Sequence, residues 1–410
     1  MYIREFRLNW RSLLAASIGL AFGSAMGHYL MNLFGPALIE EFGWSKAEYA
    51  LVGSLPLILL VLVPVAGRFT DRFGTRVAAM VGFTAVPLGF LAFSMMGGSI
   101  IEFFAIWLIQ HIFGVLTTTM VFARVVVERF DSARGFALSL MMTTPPLLAA
   151  FLVPALDQFI DEYGWRTGYQ LLALLSASAG LVTILLMGRS KRSAPRDRAE
   201  LHLSWQELAS LIRHPVFLLI VGGMFLVNIP QVFAAGQIKL VMLDNGVSDN
   251  AATWAISLYA IGVIVGRFIC GLSLDRLPAN IVAITALGLP AIGFAILASS
   301  VTALWGLAFA VLLIGAAQGA EGDIGAFMVS RHFAMKNYSL LLSCLTAMIG
   351  AGSAIGSLII SAGQVTIGSY TPFLVVAAIT TLLGAFLFFL TGRPDRAHAV
   401  PSLPPEPEIA

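Results

Sequence analysis

The feature that most constrains this chain is the recurrence of long apolar runs separated by short polar connections. Leu14 to Gly35 is one such run, with His28 and Tyr29 as its only ionisable groups. Runs of this kind reach the roughly 20 apolar residues needed to cross a bilayer as a helix. They fall at about 12–35, 46–67, 77–98, 101–125, 135–159, 167–188, 215–240, 251–274, 279–299, 302–328, 338–363 and 370–391. Twelve helices can therefore cross a membrane, and the expected fold is an all-α polytopic membrane protein. Charged residues make up only 11% of the 410 residues, less than half the share usual in soluble domains. A lipid bilayer is thus the expected surrounding.

The same composition excludes several classes. A net charge of +2 with dispersed basic residues offers no nucleic-acid face. Cys270 and Cys344 are the only cysteines and both lie in apolar segments, so neither a disulfide framework nor a thiolate metal cluster is expected. Arg4, Arg7 and Arg11 precede the first run as in a signal peptide, but the run is too long for one and lacks a small-x-small cleavage site, so it reads as a retained helix. There is no HExxH, Gly-x-Ser-x-Gly or phosphate-loop motif, and the reading is not an enzyme and needs no cofactor or metal.

Between the sixth and seventh runs lies a polar connection, 189–214, that carries six basic residues: Arg189, Lys191, Arg192, Arg196, Arg198 and Arg213. It divides the chain into an N-terminal six-helix bundle, 1–188, and a C-terminal one, 215–392. A Pro-rich tail, 393–410, has a disordered composition. Ser204, Trp205, Gln206 and Glu207 have the form of a capping box, followed by a helical spacing of Leu201, Trp205, Leu208 and Ile212, which predicts a short surface helix. Placing both termini and the even-numbered loops on one side collects 19 of the 24 Lys and Arg residues. Basic residues are held back on the cytoplasmic side during insertion, so that side is expected to be cytoplasmic, in a cell (inner) membrane.

The two halves repeat each other. After the second run the chain reads Gly67, Asp71, Arg72, Gly74 and Arg76 in the pattern Gly-x-x-x-Asp-Arg-x-Gly-x-Arg. After the eighth it reads Gly271, Asp275 and Arg276, 204 residues later. Arg129 to Arg134 and Arg331 to Lys336 echo one another after the fourth and tenth runs. Such repeats mean two pseudo-symmetric bundles with a substrate site where they meet.

On these residues the chain resembles the major facilitator superfamily, whose loop signature Gly67 to Arg76 matches at every position. Glu41 to Ser45, Tyr163 to Arg166 and Gly266 to Gly271 are similar to the monocarboxylate-porter branch. The resemblance implies a monomeric transporter working by alternating access, with a small organic acid and protons as its partners and proton symport as its coupling. It implies a gate role for Gly67, Asp71, Arg72, Gly74 and Arg76, and for Asp275 and Arg276 in the second copy, away from substrate. A tight basic turn that only sets topology is the plainer account of the same residues.

An ionisable group inside a span costs about 3 kcal/mol or more to insert, so it faces a cavity or a partner. Arg124, Arg267, Glu321 and Asp323 stand out on this ground. Arg267 aligns with the family's substrate-carboxylate Arg, and its planar fork suits two carboxylate oxygens; pairing with an acid across the bundle is the alternative. In the resembled branch the acidic coupling residue lies one turn before that Arg. Here the position is Val263, which moves the proton site to Asp323 or Glu321. These two point about 160–200° apart on a helix, so one is expected to face the path and the other a neighbouring helix, Arg124 or Arg267. Arg124 also reads as a side chain that snorkels to the near surface.

His28, Tyr29 and Asn32 share a face of the first run, which lines the path in this superfamily. Gln110 stands where many proton-coupled members carry Arg, with His111 beside it. Thr143 precedes Pro145 and Pro146 in the fifth run, and Asn228, Pro230 and Gln231 mark a break in the seventh. His28, Tyr29, Asn32, Thr143, Asn228 and Gln231 join Arg267 as candidate substrate-binding residues. Gly350, Gly352 and Gly356 predict close helix packing in the eleventh run. A second reading of the whole is an efflux pump, a proton antiporter for amphipathic or cationic compounds, with an unpaired carboxylate in its cavity.

Overall fold

A computed structural model of the protein describes residues 2–131, 133–187, 213–299, 301, 303–333 and 338–392. The surface helix expected at 201–212, most of the 189–214 connection, Lys336 and the 393–410 tail lie outside the described residues. Among the described residues every regular element is helical, because in hydrocarbon each backbone N–H and C=O must be satisfied within its own segment.

The helices assemble into twelve spans. The first is Tyr2–Phe22 continued by Ser24–Phe42; the second is Lys46–Ala50, Leu51–Ser54 and Pro56–Phe73; the third is Thr75–Met95. The fourth joins Ile100–Gly114 to Thr119–Val127 through a tighter turn at Val115–Thr117, the fifth is Arg134–Tyr163, and the sixth is Trp165–Leu186. The seventh is Pro215–Val227, a wide turn at Phe233–Gln237, and Ile238–Asp244. Asp249–Leu274 is the eighth, Ala279–Gly288 with Pro290–Ala298 the ninth, Leu304–His332 the tenth, Tyr338–Thr366 the eleventh and Thr371–Leu390 the twelfth. Ten of these are long and apolar enough to cross a membrane by themselves. The second carries Arg68, Asp71 and Arg72 near its end, and the seventh is interrupted at Asn228 to Pro230.

The interruptions follow the repeat. Gly23 breaks the first span and Asn228 the seventh, at equivalent places in the two halves. Gly74 turns the chain between the second and third spans at φ 86°, ψ 159°, a conformation that favours glycine and that gives this signature residue a purely structural reason. Gly164 does the same between the fifth and sixth.

Packing shows where the bundles meet. On the side of the termini each bundle has its own apolar core: Leu20, Phe83, Phe122 and Phe130 in one, Phe217, Met224, Ile324 and Phe388 in the other. On the far side the two merge into a single core running from Leu30, Phe34 and Tyr49 through Trp107 and Tyr169 to Phe233, Tyr259, Phe294 and Phe373. The bundles are therefore sealed together on the far side and have separate interiors on the side of the termini.

Candidate substrate and ion sites

The far-side seal is polar as well as apolar. Asn32 donates from Nδ2 to the Ala234 carbonyl at 2.8 Å and accepts from the Ile238 N–H at 2.8 Å, so it clasps the wide turn of the seventh span. Lys239, only 4% exposed, donates to Asp157 of the fifth span at 2.8 Å and to Asp249 of the eighth at 2.9 Å. Thr253 donates to the other Asp157 oxygen at 2.6 Å. Lys46 pairs with Asp244 at the rim. Asp157 and Lys239 form a buried ion pair that the sequence reading passed over. Both fell inside the predicted spans, at their far-side ends, where a basic residue reads as a loop charge.

On the opposite side, Arg124 pairs with Asp71, the acid of the loop signature, and both remain partly exposed. Arg124 thus belongs to the second–fourth span junction and takes no part with Glu321 or Asp323, correcting that expectation: three residues from the end of its span, it reaches the nearer acid. Arg72 lies over the Phe73 ring with its charge at 5.3 Å, Arg76 is half-buried, and Asp275 and Arg276 are exposed. Gly67 has nothing nearer its Cβ position than Met120 Sδ at 3.9 Å. Among the described residues no neighbouring backbone comes close to Gly67 in this conformation.

Close approach occurs instead between the eighth and tenth spans. A Cβ on Gly266 would lie 1.9 Å from the Ala316 carbonyl oxygen, and one on Gly319 2.0 Å from that of Val263. Gly262 and Gly315 meet Leu312 and Tyr259 in the same way. The two backbones touch along four glycines, so the residues that follow them, Arg267 on one helix and Glu321 and Asp323 on the other, are fixed at one level. Gly352 and Gly356 of the eleventh span pack against the seventh by the same device, with Phe225 O and Ile229 O as their neighbours.

At that level Arg267 Nε stands 3.7 Å from Asp323 Oδ2 and 3.5 Å from the Gly319 carbonyl. The pairing is loose. Among the described residues no hydrogen bond engages the two terminal nitrogens of the guanidinium. Arg267 is 22% and Asp323 41% exposed, so both face an accessible space. The Tyr29 ring of the first span lies 6.2 Å from Tyr259 of the eighth and 5.3 Å from His28. Glu321 points the other way, into the C-terminal bundle. It is 7% exposed and accepts a hydrogen bond from Gln318 Nε2 at 2.9 Å.

The remaining candidates are occupied within the fold. Thr143 donates to its own helix at Ser139 O, and Asn228 donates to Met224 O while its Oδ1 is buried without a partner. Gln110 is buried and donates to Val86 O at 2.9 Å, packed on Gly89, and His111 stacks on Trp107 with centroids 3.6 Å apart. Gln231 lines the cavity that Glu321 faces. The structure brings together Arg267 and Asp323 and sets Tyr29 beside Tyr259; it leaves Asn32 in the far-side clasp and Thr143 and Asn228 in helix packing.

The model of the Major Facilitator Superfamily matches residues 17–242 and 223–408, one match on each half of the chain. The chain belongs to that superfamily. Among curated proteins it is 25% identical to monocarboxylate transporter 11 of Homo sapiens over 83% of this chain and 68% of that one. It is also 25% identical to monocarboxylate transporter 13 of Bos taurus over 63% of this chain and 61% of the other, and 26% identical to monocarboxylate transporter 4 of Gallus gallus over 59% and 52%. The match thus spans somewhat more than half the length of most of these relatives. Among solved structures, the nucleoside transporter NupG superposes with a TM-score of 0.74 at 14% identity, over 94% of this chain and 98% of its own. A D-xylose–proton symporter superposes at 0.70 and 15% identity, over 95% and 98%. The protein is a multi-pass membrane transporter of that superfamily, with two six-helix bundles.

Proposed function

We propose that the chain carries a small organic anion, a monocarboxylate, together with a proton. The observation that carries this reading is Arg267: a cation about two turns inside its span and accessible, whose terminal nitrogens make no hydrogen bond among the described residues and which a 3.7 Å ion pair holds loosely. A carboxylate arriving at the fork replaces that loose pairing with two parallel charge-assisted hydrogen bonds. Asp323 then loses its cation in a partly desolvated place, and the charged form of a desolvated carboxyl is disfavoured. It takes up a proton, so anion and proton load together. Asp323 on the tenth span does here what Val263 on the eighth cannot. Release reverses the order: the anion leaves, Arg267 recovers Asp323, and the proton departs.

Both termini face the cytoplasm in this reading, following the basic residues, and the membrane is that of the cell. The far-side seal is then the closed outer gate and the conformation is open to the cytoplasm. Asp71 and Arg124 pair within one bundle and, among the described residues, form no ion pair with the other bundle in this state; when the cytoplasmic side closes, the Asp71 loop meets the C-terminal bundle. The unpaired carboxylate that cation efflux would require in the path is absent from it, since Asp323 is paired and Glu321 faces away.

The test is anion binding by Arg267 variants, measured with a panel of short monocarboxylates. Arg267→Lys keeps the charge and loses the fork, and is expected to weaken binding. Arg267→Ala is expected to abolish it, a loss of about 2–5 kcal/mol that moves a micromolar ligand to millimolar or beyond. A folded Arg267→Ala protein with undiminished affinity would refute the anion reading.

A further inference from the structure

Glu321 has no task in the cycle just described. It is a buried carboxyl on the tenth span, and among the described residues no Lys, Arg or His pairs with it; its one hydrogen bond comes from the Gln318 amide. An uncompensated charge in such a place costs several kcal/mol. The charge is cancelled either by a proton on the carboxyl or by an occupant of the cavity it faces.

That cavity lies within the C-terminal bundle, between the seventh, ninth, tenth and twelfth spans. Its volume is about 30 Å³, which suits one water-sized occupant and is far too small for an organic acid. Most of its wall is apolar, from Val227, Ala234, Leu287, Phe294 and Ile314. The polar side chains are Glu321, Gln231, Gln318 and Thr381. Thr381 is 2% exposed and its Oγ1 is buried with no hydrogen-bond partner. One negative charge and three further oxygen-bearing side chains therefore converge on a space for a single small particle.

The N-terminal half shows that the repeat does not require this. In the fourth span, the counterpart of the tenth, Thr117 accepts the Ser24 N–H at 2.9 Å and packs tightly against Gly23, whose added Cβ would meet it at 2.7 Å. There the helix break is capped by a neutral hydroxyl and the space is filled. In the C-terminal half the break at Asn228 is not capped in this way among the described residues, the tenth span brings a carboxylate near it, and a cavity remains.

We propose that this cavity is a binding site for a single desolvated sodium ion, separate from the Arg267 path. Glu321 supplies the one negative charge, and Gln231, Gln318 and Thr381 supply side-chain oxygens. Hard cations take oxygen ligands, and a single carboxylate balances a monovalent ion. The Gln318 amide now donates to Glu321; rotating it by half a turn gives up that hydrogen bond and presents its oxygen to the ion, whose charge offsets the loss. A proton on Glu321 would also cancel the charge, but it would leave the remaining oxygens without a common purpose. By joining the seventh, tenth and twelfth spans, the ion would stiffen the bundle that carries Arg267.

The test uses the full chain in detergent with no organic acid present, so its outcome does not depend on the anion reading. Thermal unfolding is followed as sodium chloride replaces choline chloride at constant ionic strength. The unfolding temperature is expected to rise saturably with sodium, by about 2 °C or more, as for any ion that binds only the folded state. Thr381→Val, which keeps the carboxylate, is expected to raise the sodium concentration needed about tenfold, and Glu321→Gln to remove the response. A wild-type protein indifferent to sodium over choline would overturn the proposal. So would a sodium response that both variants retain, or stabilisation by lowered pH alone, which would assign the cavity to a proton.

Discussion

The second–fourth span junction of the N-terminal half and the eighth–tenth junction of the C-terminal half are copies of one design, yet they carry different chemistry. In the first, the basic and acidic pair Arg124 and Asp71 sits at the end of the spans, and the fourth span is tied to its other neighbours by neutral hydrogen bonds, Gln110 to Val86 of the third span and Ser24 of the first to Thr117. In the second, the helices are drawn together by four glycines, and Arg267, Glu321 and Asp323 lie inside the spans at one level. A charge at a span end is cheap because it reaches water, whereas a charge two turns in is retained only where it is paired or used. The N-terminal half therefore reads as the frame and gate, and the C-terminal half as the part that handles ions.

The comparison can be strained at several points. The largest effect is expected at the joint between the halves. Lys239→Met strands Asp157 with only Thr253 to satisfy it, and removing one partner of a buried pair typically costs about 3–5 kcal/mol. Thermal unfolding and labelling of cysteines placed along the far side should show a less stable protein that opens more readily there. An intact, closed far side would show that the apolar core alone holds the seal. A smaller effect separates the glycines. Gly266→Ala pushes a methyl into the Ala316 carbonyl and is expected to cost about 1–3 kcal/mol, whereas Gly67→Ala has room and is expected to stay within about 0.5 kcal/mol. Equal losses at both positions would mean that the two junctions pack alike. The smallest stability effect belongs to the gate: Asp71→Asn or Arg124→Ala breaks a half-exposed pair worth about 0.2–1 kcal/mol. Either change is expected to slow transport in vesicles while leaving equilibrium anion binding in place. Binding that falls in proportion to rate would move these residues from the gate to the site.

The spans and the repeat were legible in the sequence because both depend on composition and spacing, which hydrocarbon enforces directly. Arg267 and Asp323 were legible as well, since a charged side chain in an apolar run is conspicuous. What could not be read was pairing across the fold. Arg124 could equally have met Glu321 or Asp323; only the depth of each side chain within its span decides for Asp71. Lys239 and Asp157 are 82 residues apart at the far-side ends of their spans, where a charge looks like a loop residue until the bundles close over it. Asn32 and Tyr29 are near neighbours on one helix, yet Asn32 is taken by the backbone of a wide turn in the seventh span. No local pattern announces that turn. The four glycines between the eighth and tenth spans lay in plain view, but two separate small-residue stripes do not say that they face each other.

The central claim is that an anion arriving at Arg267 releases Asp323 to take up a proton. Calorimetric titration of the purified protein with pyruvate, or with the tightest ligand of the monocarboxylate panel, in two buffers of different ionisation enthalpy measures the protons taken up on binding. The account predicts uptake of about one proton per anion bound near neutral pH, and none in Asp323→Asn. Anion binding with no proton uptake, or uptake that persists in Asp323→Asn, would contradict it.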